Sequence, residues 1–127
     1  MRILINVILS VVACAIVDNG PTGSYCGAAD TFLGKATINI SITSSSTFNI
    51  EASWTPIGGE TESGSENDVE YEYDTSTGKV TVKGLDKLKN LIARMGAPLS
   101  ADMLAQLEFK DDTLYVTRLA NFPLKSC

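Results

Sequence analysis

The chain has 127 residues, a formal charge of −5, 44% hydrophobic residues and no histidine. That length supports one domain with one core, and the lack of histidine excludes Ser-His-Asp and Cys-His catalysis and every histidine-bearing zinc site. Nine acids lie between residues 30 and 74 against Lys35 alone, which argues against nucleic acid or an anionic membrane on that surface.

Met1-Arg2 precedes an apolar stretch over residues 3–17, in which Ala13-Cys14-Ala15 forms a small-x-small site for signal peptidase. The pattern predicts a signal peptide over 1–15 and a single secreted domain over 16–127. The stretch is shorter than the roughly 20 apolar residues a bilayer span requires, and no second one follows. Val11-Val12-Ala13-Cys14 also resembles a bacterial lipobox, so the alternative localisation is an exported lipoprotein anchored through Cys14. Cleavage after Ala15 leaves Cys26 and Cys127, which an oxidising compartment would join in one disulfide. Such a bridge brings the two ends of the domain side by side.

Gly34 to Thr43 alternates cleanly, with Ala36, Ile38, Ile40 and Ile42 on one face and polar side chains on the other. Thr47 to Trp54 answers with Phe48, Ile50, Ala52 and Trp54, so the two runs form a hairpin around Ser44-Ser45-Ser46. The Gly-, Ser-, Thr- and Glu-rich segment over 55–67 then reads as a mobile loop and the natural place for a binding surface. Asp68 to Lys83 is a second hairpin, whose register sets Asp74 against Lys79 and Glu70 against Lys83.

Gly84 to Gly96 is the one helix, with Leu85, Leu88, Leu91, Ile92 and Met95 along an apolar stripe and Pro98 beyond its end. A third hairpin follows, Leu107–Phe109 and Leu114–Leu119 around Lys110-Asp111-Asp112-Thr113. Pro123 marks the closing segment as an edge. The expected fold is α+β: a curved antiparallel sheet of about six strands, two N-terminal hairpins and one C-terminal, with the helix on one face. A small closed β-barrel with a helix is the alternative, since closure removes exposed edges.

No Cys-x-x-Cys, Gly-x-Ser-x-Gly, phosphate-binding loop or dinucleotide fingerprint is present, and no residue is assigned a catalytic, metal-binding or cofactor role. The row Asp68, Glu70, Glu72 and Asp74 has period-2 spacing, with neighbours about 6.5–7 Å apart on one strand face. Calcium needs six to eight converging oxygens, and glycosidase carboxylates flank a cleft, so the row reads as a solvated face. Asn39-Ile40-Ser41 is an N-glycosylation sequon on the polar face of its strand. Trp54, Glu60, Glu62 and Glu66 are the candidate contacts for a partner at the acidic 55–67 loop.

These features predict a secreted or cell-surface, non-enzymatic binding protein, inhibitor-like, with an unspecified protein partner. The alternative is an extracellular carrier of a lipid or other small hydrophobic ligand in a cavity between sheet and helix.

Overall fold

The computed structural model describes residues 20–127 and shows eight antiparallel strands closed into a barrel. The strands are β1 (Ser24–Asp30), β2 (Gly34–Ile42), β3 (Thr47–Pro56), β4 (Glu62–Tyr73), β5 (Lys79–Val82), β6 (Gln106–Lys110), β7 (Thr113–Val116) and β8 (Phe122–Ser126). Each pairs with its neighbour in sequence, and β8 closes on β1. The helix α1 (Leu85–Met95) is inserted between β5 and β6. The expected signal peptide over 1–15, with Cys14, lies outside the described residues.

The open six-strand sheet is therefore corrected to the barrel. The three expected hairpins are present, but the last strand of the third stops at Val116 and Thr117–Leu119 forms a 3-10 turn instead; β1 and β8 are the two additional strands. Alternation could not reveal β1, because Gly27, Ala28 and Ala29 carry no bulky side chains to alternate. β8 contains Pro123, which reads as an edge, but the two would-be edges pair with each other. They meet at Tyr25–Ser126 and Cys26–Lys125 only.

The expected loop over 55–67 is also corrected. The connection is only residues 57–61, and β4 begins at Glu62, paired with β3 from Trp54–Glu62 to Ile50–Glu66. Its positions opposite the inward Trp54, Ala52 and Ile50 are Glu62, Gly64 and Glu66, so no apolar alternation marks it as a strand. A bulge opposite Asn49 then shifts the register by one residue. Asp68 lies there with φ of 56°, and its amide donates to Asn49 Oδ1 at 3.0 Å. Beyond the bulge Val69 and Tyr71 point inward and are buried.

The second hairpin has the expected register: Tyr71, Glu72 and Tyr73 face Val82, Thr81 and Val80. β5 ends at Val82, so residues 62–69 of β4 have no strand on that side. Helix α1 stands in for the missing wall. Leu88, Leu91, Ile92 and Met95 are buried against the barrel interior. Gly64 permits the approach, since a Cβ there would lie 3.1 Å from Leu91 Cδ1. The Lys87 ammonium donates to the carbonyls of Asn67 and Asp68, and Arg94 donates to the carbonyl of Ser65 and the Glu66 carboxylate. These side chains satisfy backbone acceptors that a neighbouring strand would otherwise have served.

The barrel's two ends differ. One carries the short turns 43–46, 74–78 and 111–112, and the last is a two-residue turn with φ of 53° and 59° at Asp111 and Asp112, the type I′ pattern. Here the disulfide joins Cys26 to Cys127 with a Cα separation of 5.9 Å. Tyr25 plugs this end, with its ring 5.9 Å from that of Phe109 in an edge-to-face arrangement. Its hydroxyl accepts from the Thr22 amide at 3.0 Å and donates to Asp112 Oδ1 at 3.4 Å.

The bridge closes a loop spanning 101 residues. In the chain-entropy model, replacing both cysteines by serine costs about 4 kcal/mol, to be read from the midpoint of urea unfolding. Burial raises the Tyr25 pKa; the Thr22 amide opposes this and the Asp112 carboxylate adds to the rise. The folded state thus holds the phenolic proton more tightly than the unfolded chain. That contribution is complete below about pH 10, the unfolded value, and is lost as pH rises through the folded one. Unfolding midpoints measured across that range should fall, and Tyr25→Phe should flatten part of the fall.

Candidate functional site

At the sealed end the inward positions are filled by large side chains, among them Tyr25, Ile40, Phe48, Ile50, Val69 and Tyr71. Toward the opposite end they shrink. Ala29 faces Ala36 across β1 and β2, and Ala52 lies opposite Ile38 across β2 and β3. Close packing leaves few voids unless small residues coincide, and here three alanines share one stretch of wall. Between them and the end of α1 lies an apolar cavity of about 350 Å³.

Trp54 forms part of its wall, and Met95, Ala97, Pro98 and Leu99 close the helix side. Leu104, Leu119 and Phe122 complete the far side. The lip is the β1–β2 connection. Thr31 Oγ accepts from the amides of Leu33 and Gly34, both at 3.1 Å, and donates to the Gly34 carbonyl. This local turn (the hydroxyl substituting for backbone partners) projects Phe32 outward, 89% exposed. The Leu33 carbonyl accepts from the Ile57 amide at 3.1 Å, which ties the lip to the β3–β4 turn.

The polar side chains on the lining are Thr31, Thr37 and Ser53, and no ionisable residue is among them. Thr37 and Ser53 share a hydrogen bond at 2.6 Å on the outer face. The arrangement can desolvate an apolar molecule. Among the described residues no group of His, Cys, Asp and Glu could hold a metal ion, and no helix is long and apolar enough to cross a membrane.

The four residues expected to meet a partner are divided. Trp54 is 8% exposed and faces the cavity. Glu66 is turned toward α1, with its side chain 16% exposed, and pairs with Arg94. Glu60 and Glu62 are exposed at the β3–β4 turn and the start of β4. Asn39 lies on the outer face of β2, between Cys26 of β1 and Glu51 of β3, and its Oδ1 has no hydrogen-bond partner. Around it runs an open polar groove that includes Ser53, Ser63 and Ser65.

Glu70, Glu72 and Asp74 lie exposed on the outer face, as their spacing requires. Glu72 pairs with Lys83 at 3.5 Å, and hydrogen bonds from Ser76 hold the Asp74 carboxyl below its ordinary pKa. Of the cavity residues, the sequence marks Met95 only as part of the helix stripe and Leu119 only as strand, and it gives no sign of Ala29, Ala97 or Leu99. One signal was available. Once β2 and β3 are paired as a hairpin, Ala36 and Ala52 fall at the same end, while isoleucine and phenylalanine crowd the other.

Arg94 holds α1 against the half-buried Glu66 and so fixes the cavity's helix side. Arg94→Ala leaves that carboxylate without its charged donor and, because the pair is partly exposed, should cost about 1 kcal/mol in chemical unfolding. The same variant should raise the exposure of Trp54 to acrylamide quenching as the helix end loosens.

No protein-family model, curated protein or solved structure matches this chain.

Proposed function

We propose that this protein is an exported, non-enzymatic binder or carrier of a small hydrophobic ligand, held at the end of the barrel opposite Tyr25. The single observation that carries this reading is the apolar cavity of about 350 Å³ between the alanine-lined wall and the end of α1. Ligand pockets run from about 300 to 1,000 Å³ and are mostly apolar, so this one suits a single ring system or a short chain. Export rests on the signal peptide read from residues 1–15, and the Cys26–Cys127 bridge fits an oxidising compartment.

The other reading of the sequence, a protein partner at the acidic segment, keeps one support. The β3–β4 turn presents Ile57, 71% exposed, beside Glu60 and Glu62. A pull-down comparing the intact chain with one lacking residues 58–61 addresses it, since binding that survives the deletion places any such contact elsewhere.

The carrier reading is tested with the neutral fluorophore N-phenyl-1-naphthylamine. Trp54 is the chain's single tryptophan and lines the cavity, so bound probe should quench its emission as probe fluorescence rises. Ala36→Phe points a ring into the same space and should weaken probe binding at least tenfold. Because it fills a void, it should leave the unfolding midpoint unchanged or higher. Equal binding by this variant would place the probe elsewhere and remove the cavity from the function.

A further inference from the structure

We infer that the cavity selects electrically neutral ligands and rejects carboxylates and ammonium ions of the same shape. This rests on the carrier reading and adds the chemical class of its ligand. The argument is one of charge and satisfied hydrogen bonds. No Lys, Arg, Asp or Glu lines the cavity. Its polar lining residues offer no free hydroxyl inside: Thr31 is bonded within its own turn, and the Thr37 and Ser53 hydroxyls bond each other on the outer face.

The ions nearest in sequence to the lining residues are paired with one another outside it. Lys35 precedes Ala36 but faces the outer side of β2, with its Nζ 3.9 Å from Asp30. Arg118 precedes Leu119, and its guanidinium lies 3.6 Å from the Asp102 carboxylate. Arg94 is committed to Glu66 and the Ser65 carbonyl. Lys79 and Lys110 are terminal residues of their strands, β5 and β6, at the sealed end, across the barrel from the lip.

An ion buried in this space would lose its hydration and gain no counter-charge. Such a transfer is far costlier than burial of a hydroxyl or an amide, and an ionisable group responds by neutralising. A long-chain fatty acid escapes that cost by leaving its head group in water. A compact ligand that fits wholly inside has no such route. The preferred class is therefore a compact neutral molecule such as a hydrocarbon, ester, alcohol or phenol, with any polar group directed to the lip.

The test is displacement of N-phenyl-1-naphthylamine from the full secreted domain by three molecules of one shape: 2-naphthol, 2-naphthoate and 2-naphthylmethylammonium, at neutral pH. The neutral phenol should compete at least tenfold more tightly than either ion. Leu99→Lys adds a cation to the wall and should strengthen 2-naphthoate at least tenfold without helping the ammonium, while circular dichroism checks the fold. Competition by either ion within threefold of 2-naphthol overturns the charge inference and leaves the carrier reading intact. No binding of the fluorophore at all overturns the carrier reading, and this inference with it.

Discussion

The fold depends on the seam where β1 meets β8. Seven of the eight strand contacts join neighbours in sequence through short connections or the helical insertion, so local closure is enough to form them. The eighth joins the two ends of the domain and consists of two residue pairs, with the Cys127 amide donating to the Ser24 carbonyl beside them. So short a ladder contributes little against the entropy of bringing distant segments together. The Cys26–Cys127 bridge at the same place limits how far the ends can separate in the unfolded chain. An edge strand left unpaired would be a template for aggregation, and closure removes both edges at once.

The second constraint is the missing stretch of wall beside β4. β5 is only four residues long, whereas β4 runs for twelve. Helix α1 occupies the difference, and its side chains satisfy the backbone acceptors that a strand would have met. The helix packs closely onto Gly64 of β4, while the cavity lies between its end and the alanines of β1, β2 and β3. The sealed end has only strands and tight turns around Tyr25, and its interior is filled. The asymmetry of filled and hollow halves thus follows from where the helix was inserted.

How far this could be read in advance differs from element to element. β2, β3 and the second hairpin were legible because Ile, Phe, Val and Tyr alternate with polar residues, and a two-residue period needs no knowledge of neighbours. Helix α1 was legible for the same reason at its own period. The first half of β4 was not, since Gly64 and Glu66 answer to Leu91 and Arg94 of the helix rather than to a sheet core. β1 was not, because three small residues in a row leave no pattern. Glu66 and Trp54 read as surface contacts when the segment between them is taken for a loop; once it is strand, both turn inward.

The sequence by itself determined the strand-rich character, the helix with its apolar stripe, the register of the second hairpin and the two cysteines available to pair. All of these follow from local periodicity, turn chemistry or simple counting. Only the tertiary structure decided that the sheet closes, that α1 replaces part of its wall, and that Ala29, Ala36 and Ala52 surround one hollow. Those outcomes depend on which small side chains become neighbours across strands distant in sequence, and volume left unfilled is a property of that assembly rather than of any single segment.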